Sequence, residues 1–497
     1  MLKIHLVGHT HDYPLCDVVR LLTGVIPKSI DGWITAEVDL DVSIQSEVSE
    51  TEIITSVEEN RKEKNGDSLI LRTSLQGEKI IDGLPVSREL KIQLYTILSQ
   101  LLGRTFPWGS LTGIRPTQVA RELKTPEDMS RIYGVREDKA KLAFLTRDGE
   151  DQVLQSSDPN SLHVYIGIPF CPTRCAYCSF IAQEAPKKRE LLPSYVDAML
   201  KEMDRVLPSI EKTIETLYIG GGTPTVLDDE LFAKFIHGVF RHSAFAGLKE
   251  ICVEAGRPDT ITRRKLEVLQ EAGISRICIN PQTLCDATLI RVGRRHSAED
   301  FIKAFTLARE MGFETINTDL IAGLPGERSD EFCDSLDRIV ELGPENITVH
   351  SLSKKRRADL TREEVVKQEE LELLNMEKML TYAFATLSGA GYEPYYLYKQ
   401  KDTIGGHENV GYQKNHTPCI YNVAMMSDAR SVLSFGAGGM SKRVFPENDS
   451  IRVERCSCIK DPIQYIQNVE AMAEKKLHFF QEEGMILPEK EGNMPNL

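Results

Sequence analysis

No apolar run in this 497-residue chain approaches the roughly 18 residues that a membrane-spanning helix needs. The N-terminal stretch MLKIHLVGHTHDY has no basic segment leading into an apolar core, so it does not read as a secretory signal and the expected location is the cytoplasm. Positive charge is in deficit: 60 Lys and Arg against 74 Asp and Glu leave a formal net charge of −14. Such a chain repels phosphate backbones, so nucleic acid is not an expected partner and the acidity favours solubility. Aromatics are few at 7%, and there is no internal repeat or low-complexity tract, which excludes a fibre or a biased scaffold. A disulfide framework is missing too. The eleven cysteines are odd in number and irregular in spacing, and in a reducing compartment a tight group of them suggests a metal first. Only Cys171/Cys175/Cys178 and Cys456/Cys458 are tight.

What remains is ordinary for a globular protein, with 41% hydrophobic and 27% charged residues. At about 150 residues per domain the length allows two to four domains. Residues 1–150 read as an N-terminal α+β domain whose role the sequence leaves open. MLKIHLVGH, WITAEVDL and SLILRTSL are strand-like, and Leu15–Leu22 and Arg88–Leu102 have helical spacing, the second stopped by Gly103. The stretch WGSLTGIRPTQ (108–118) reads as a loop opening a short helix at VARELK.

From residue 161 the pattern changes. Six short apolar runs (164–168, 216–220, 250–255, 275–280, 314–321 and 345–350) alternate with helical stretches at 189–206, 228–241, 260–272, 299–311 and 329–342. Strands alternating with helices imply a parallel sheet covered on both faces. Six units spanning 160–355 predict an α/β domain, an open partial (β/α)6 barrel with its chemistry at the C-terminal ends of the strands. A charged segment, SKKRRADLTREE, then leads into a helix of about thirty residues that ends at Gly389–Gly391. Residues 356–497 are expected to form a small C-terminal α+β region covering the barrel mouth. It holds EPYYLYK, the glycine-rich FGAGG at 435–439, a helix near 461–475 and a polar, frayed tail after Gly484.

Directly after the first of these strands the chain reads Tyr165-Ile-Gly-Ile-Pro-Phe-Cys171-Pro-Thr-Arg-Cys175-Ala-Tyr-Cys178. Three thiolates on one loop can bind three irons of a cubane and leave the fourth open to a ligand. A structural zinc site would want a fourth Cys or His nearby, and Ser179-Phe180-Ile181 supplies none. Cys456-x-Cys458 has too few neighbouring ligands for a second metal site.

The CxxxCxxC spacing, with Tyr165 before it, resembles the radical S-adenosylmethionine (SAM) superfamily. YIGIPFC, YIGGGTPT, DLIAGLPGE and the GAGG segment resemble the oxygen-independent coproporphyrinogen III oxidase group, and WGSLTGIRPT resembles the HemZ-type coproporphyrinogen dehydrogenases within it. The likeness spans nearly the whole chain. It implies a [4Fe-4S] cluster on Cys171, Cys175 and Cys178, the expected catalytic and metal-ligating residues, with SAM chelating the open iron. Reductive cleavage of SAM would then give a deoxyadenosyl radical that abstracts hydrogen.

Further contacts are implied by the same resemblance. Gly221, Gly222 and Thr223 would meet the methionine end of SAM, although a glycine run also suits a tight turn. Glu254 would accept from a ribose diol, or be a solvated strand-end acid. Gln282, Arg294 and Asp319 would contact a second SAM molecule; Arg294 could instead be a surface charge beside Arg291 and Arg295. Tyr177 would pack near adenine, or simply under the loop, and Leu324-Pro325 and Ser353 fall where other adenine-side contacts would lie. The Lys354–Arg357 run could draw in a tetracarboxylate tetrapyrrole, or be a solvated face.

The implied activity is oxidative decarboxylation of coproporphyrinogen III to protoporphyrinogen IX, fed by a one-electron donor such as flavodoxin or ferredoxin. Two departures leave alternatives open. Phe180 stands where the oxidases of the group carry a fourth cysteine, as it does in a haem-binding chaperone subgroup. That subgroup's HNxxYW motif, however, is matched here by Glu408-Asn409-Val410-Gly411-Tyr412-Gln413, with His407 one residue off. A radical SAM enzyme acting on haem, such as a ring-opening methyltransferase, is the third possibility.

Overall fold

A computed structural model describes residues 1–38, 40–50, 52–58, 70–74, 85–113, 115–178, 182–353, 369–400, 403–447 and 450–481. The chain divides into two compact units. Met1–Leu145 and Tyr398–Glu408 form one, and the described residues from Thr146 to Leu397 and from Asn409 onward form the other.

The first unit carries a six-stranded sheet of β1 (Leu2–Val7), β2 (Lys28–Ile30), β3 (Trp33–Ala36), β4 (Val42–Val48), β5 (Glu52–Glu58) and β6 (Ile70–Ser74), in the order β2-β3-β1-β4-β5-β6. β1 and β4 are parallel and the other neighbours antiparallel. Alternation drives one face of β1 inward: Leu2, Ile4 and Leu6 are buried while Lys3 is exposed. Helices Asp12–Thr23 and Val86–Leu102 bring Leu15, Val18, Val19 and Leu22, and Leu90, Leu94 and Leu98, into the same core. That three-to-four spacing is the apolar stripe of an amphipathic helix. Left-handed Gly24 and Gly103 close the two helices. The second helix begins two residues before the expected Arg88. The strand expected over WITAEVDL ends at Ala36, and the short helix expected at VARELK is Pro116–Glu122.

The second unit is α/β, built on the run of parallel strands that the sequence predicts for an open partial barrel. Its strands are β7 (Leu162–Ile168), β8 (Phe170–Cys171), β9 (Gln183–Glu184), β10 (Ile214–Gly221), β11 (Glu250–Gly256), β12 (Arg276–Ile279), β13 (Thr315–Ala322) and β14 (Asn346–Ser351), then β15 (Glu393–Lys399, the last two residues counted with the first unit), β16 (Glu408–Gln413, Glu408 counted with the first unit), β17 (Ser431–Phe435), β18 (Met440–Glu447) and β19 (Ser450–Ser457). The large sheet runs linearly as β15-β16-β14-β13-β12-β11-β10-β7-β17-β18-β19. β7 and β10 to β14 are the six expected strands, each parallel to its neighbour. Beyond them, antiparallel β16 extends the sheet past β14 and parallel β17 extends it past β7.

Helices Leu191–Val206, Asp229–Phe240, Arg263–Glu271, Ala298–Glu310 and Ser329–Leu342 lie between successive strands. Side chains cap several starts: Asp228 accepts from the Leu231 N–H, Thr262 from Lys265, and Ser297 forms a capping box with Asp300. The long helix before Gly391 is described over Glu369–Gly389. The helix expected at 461–475 is two, Pro462–Gln467 and Val469–Gln481, divided at Asn468.

Candidate active site

The strand ends assemble two linked groups of side chains. The first surrounds the cysteine loop. Cys171 ends β8, a two-residue strand paired with β9, and Cys175 and Cys178 follow in a turn closed by the Cys178 N–H on the Cys175 carbonyl at 3.0 Å. Cys175 is buried and the other two thiols are half-buried. Burial pushes the Cys171 thiol up to about 12; Cys178 and Cys175 add to this, and the Thr223 hydroxyl, 3.5 Å from the sulfur, opposes it.

The glycine run after β10 lies against this loop. The Gly222 N–H donates to the Ile168 carbonyl and the Thr223 N–H to the Phe170 carbonyl, each at 2.8 Å. A Cβ at Gly222 would sit 2.5 Å from the Phe170 carbonyl oxygen, so only glycine allows this approach.

Residues 291–294 close the other side. The Ala176 N–H donates to the Val292 carbonyl at 3.0 Å, and the Thr173 hydroxyl to the Gly293 carbonyl at 3.1 Å. Arg294 is only 6% exposed, so it is no surface charge, unlike Arg291 and Arg295. It donates to the Tyr177 hydroxyl at 2.7 Å, to the Asn280 carbonyl at 2.6 Å and to His296 Nδ1 at 3.5 Å. Arg257, 3% exposed, donates to the Thr173 hydroxyl at 2.6 Å and pairs in bidentate fashion with Asp259 at 2.8 and 2.9 Å.

The second group lies along the strands. Tyr165 on β7 lies beside the stacked pair Tyr218 and Tyr421, whose ring centroids are 4.7 Å apart and 6.3 and 6.2 Å from its own. The Tyr218 hydroxyl donates to Glu254 at 2.7 Å, and the Gly221 N–H donates to the other carboxylate oxygen at 3.2 Å. Glu254 is therefore hydrogen-bonded by protein rather than solvated. Burial raises its carboxyl to about 7; Asp319 adds to the rise, while Tyr218, Gly221 and His350 oppose it. Asp319 accepts from the Asn317 amide at 2.8 Å and faces His350 Nε2 at 3.6 Å. Gln282 holds a left-handed backbone (φ 71°), pinned by its N–H on the Asp319 carbonyl and by the Ile321 N–H on its own carbonyl, each at 2.9 Å. Its buried side-chain oxygen has no hydrogen-bond partner in the structure, and neither does that of Asn280.

Ser353 lies half-buried just past β14, Leu324 is buried, and the Pro325 carbonyl accepts from Arg291 at 2.7 Å. Phe180 and the Lys354–Arg357 run lie outside the described residues. Sequence reasoning missed Arg257, Asn280, His350 and Tyr218. Their position within or just after core strands was the available signal, since that is where a barrel of this kind places its chemistry.

The donor set fits a cubane. Three thiols share one loop, and Arg294, a buried cation whose hydrogen-bond partners are all neutral, lies beside Cys175. Burying a cation among neutral partners is costly, and an anionic cluster there would compensate it. Among the described residues no three His, Cys, Asp or Glu converge closely enough for one metal ion. A cubane does not require that, because each cysteine binds a different iron.

Glu408, at the place of the chaperone motif's histidine, is engaged within the first unit. Lys139 pairs with one carboxylate oxygen and the Trp108 indole N–H donates to the other at 2.7 Å, with the Lys139 and Glu408 side chains 5% and 2% exposed. Burial raises this carboxyl, but Lys139 and His407 outweigh it and hold it well below the ordinary carboxylate range. Cys456 and Cys458 are both buried.

Parallel strands with a three-cysteine loop after the first and a glycine run after the second define the class of a radical SAM protein, and a family model described as the Radical SAM superfamily matches residues 165–339. The curated relatives include the oxygen-independent coproporphyrinogen-III oxidase-like protein HemZ of Bacillus subtilis, 36% identical over 78% of this chain and 79% of the relative. The heme chaperone HemW of the same organism is 37% identical over 38% of this chain and 49% of its own length. Among solved structures, coproporphyrinogen III oxidase (HemN) from Escherichia coli is similar at a TM-score of 0.48 and 22% identity, over 67% of this chain and 73% of that one. The chain belongs to the radical SAM superfamily, among the oxygen-independent coproporphyrinogen-III oxidase-like proteins. No helix among the described residues is long and apolar enough to cross a membrane.

Proposed function

We propose that this chain is an enzyme of anaerobic haem and porphyrin biosynthesis that oxidatively decarboxylates two propionates of coproporphyrinogen III to vinyl groups, giving protoporphyrinogen IX. In this reading Cys171, Cys175 and Cys178 hold three irons of a [4Fe-4S] cluster and leave the fourth for SAM. Cluster and SAM together supply one-electron cleavage of the sulfonium and a radical able to abstract hydrogen. Gly221, Gly222 and Thr223 hold the amino-acid end of SAM through backbone and hydroxyl groups, and Tyr165 and Tyr177 give it aromatic walls. Glu254, already aimed by Tyr218 and Gly221, accepts from its ribose. The unpartnered oxygen of Gln282, with Asp319, Arg294 and Ser353, suits a second SAM molecule. The 1–150, 160–355 and 356–497 division, with the last region over the barrel mouth, and a flavodoxin- or ferredoxin-like donor belong to the same proposal.

One observation favours this over haem carriage: the position of the chaperone's histidine holds a carboxylate, which is not a usual axial ligand, and Lys139 and Trp108 occupy both its oxygens. The test is anaerobic reconstitution followed by SAM, a strong reductant and either coproporphyrinogen III or haem. Vinyl product supports the proposal. Stoichiometric haem binding without turnover would replace it with a carrier, and loss of the haem Soret band with methyl transfer would replace it with a ring-opening enzyme.

A further inference from the structure

Each gap in CxxxCxxC holds one residue gripped by a buried arginine. Thr173, between the first two cysteines, accepts from Arg257; Tyr177, between the last two, accepts from Arg294. The arginines come from different strand ends, Arg257 just after β11 and Arg294 in the segment that follows β12. Two more hydrogen bonds reinforce the grip, from the Ala176 N–H to the Val292 carbonyl and from the Thr173 hydroxyl to the Gly293 carbonyl.

The two cations are not equivalent. Arg257 carries its own counter-charge in Asp259, so its main effect on the loop is a directed hydrogen bond. Arg294 directs its guanidinium to a phenol, a carbonyl and an imidazole, so beside Cys175 it has no carboxylate among its hydrogen-bond partners, and Asp259 acts on it only at longer range. His296, the imidazole it reaches, is pushed down to about 3, by burial first and by Arg294 next, and is neutral at physiological pH.

We infer that Arg257 and Arg294 are positioning residues that lock the cysteine loop and, through the charge of Arg294, raise the reduction potential of the cluster it carries. The physical basis is that potentials of iron–sulfur clusters depend on nearby net charge, hydrogen bonding and burial. Reduction adds one negative charge, and a buried cation with no carboxylate hydrogen-bonded to it favours that state. This inference rests on the cluster assignment and is independent of the tetrapyrrole.

The test uses the full chain, reconstituted without oxygen, with iron per chain and the cluster's midpoint potential as readouts. Arg294→Gln is expected to shift the oxidised-to-reduced ratio at fixed potential at least tenfold toward oxidised, about 59 mV for one electron. Arg294→Lys, which keeps the charge, should recover most of that shift. Arg257→Gln should lower iron retention with a smaller change in potential. If either glutamine variant fails to fold, Thr173→Val and Tyr177→Phe remove the same hydrogen bonds from the loop side and should lower iron retention. A fully loaded Arg294→Gln at the wild-type potential would overturn the charge effect, and full loading of both loop variants would overturn the locking. Wild-type chain that takes up no iron would instead sink the cluster assignment itself.

Discussion

Replacing Lys139 by methionine keeps most of the side chain's volume and removes its charge. Both partners of the pair are almost fully enclosed, so the change leaves the Glu408 carboxylate buried with the Trp108 N–H and without its close cation. Breaking a buried pair from one side typically costs about 3–5 kcal/mol, because the remaining charge is stranded. Lys399 lessens this only slightly. Burial lowers that amine to about 7 while Glu408 raises it, and it donates instead to the Leu111 carbonyl at 2.7 Å. The pH dependence gives a second handle. In the wild type the Glu408 carboxyl sits below its unfolded value, so its contribution is present above the unfolded pKa of roughly 4.3 and fades as pH falls through the folded value. In Lys139→Met only His407 is left to oppose burial, so that carboxyl moves up, protonation relieves the strain and the variant gains on the wild type as pH falls from 7 toward 5. Urea unfolding can be followed through Trp108, which is 1% exposed, in a Trp33→Phe background, because Trp33 is the only other tryptophan and is 38% exposed. Adding Glu408→Gln to Lys139→Met should recover much of the loss. A deficit under about 1 kcal/mol, or one constant between pH 5 and 7, would refute the reasoning.

Three further outcomes are expected. Gly222→Ala would bring a Cβ to 2.5 Å from the Phe170 carbonyl oxygen; ordinary contact at 3.4 Å requires β8 to retreat by 3.4 − 2.5 = 0.9 Å, so iron per chain after reconstitution should fall, at a stability cost of about 1–3 kcal/mol. Cys175→Ala should abolish the thiolate-to-iron absorbance at roughly 400 nm, and a retained four-iron spectrum would contradict the ligand assignment. Glu254 is raised to about 7 in the folded state, so its contribution to apo-protein stability is present below its unfolded pKa and declines as pH rises through 7. Glu254→Gln should flatten that decline in thermal unfolding across pH 5–8, and an unchanged slope would remove Glu254 as its source.

The parallel core was legible because its signals are local and redundant. Short β-rich runs such as 164–168, alternating with amphipathic helical stretches, point to strands buried on both faces. The cysteine loop was legible for the same reason: its ligand residues lie within eight positions. Elements that depend on distant partners were hidden. Helix Glu137–Ser156 contains Gly149, which reads as a breaker; the structure uses it where a Cβ would come within 2.6 Å of the Pro394 carbonyl oxygen. β4 and β5 mix Ser, Thr, Gln and Glu with single apolar residues, and only their pairing shows that Ile44 and Ile53 point into the core. Arg257 drew no notice in the sequence, and Arg294 could be read either as a SAM contact or as a surface charge, because the loop residues they hold lie 84 and 117 positions away. Glu408 read as a missing haem ligand. Its engagement by Lys139, 269 positions away, was invisible without the fold.

The central claim is that three sulfurs leave one iron of a four-iron cluster open to SAM. The most direct measurement is deoxyadenosine release from SAM by anaerobically reconstituted chain under strong reductant, beside a variant with Cys171, Cys175 and Cys178 all changed to alanine. Release by the native chain and none by the variant is the expected result. Zinc in place of iron with no release, or equal release by both proteins, would contradict it.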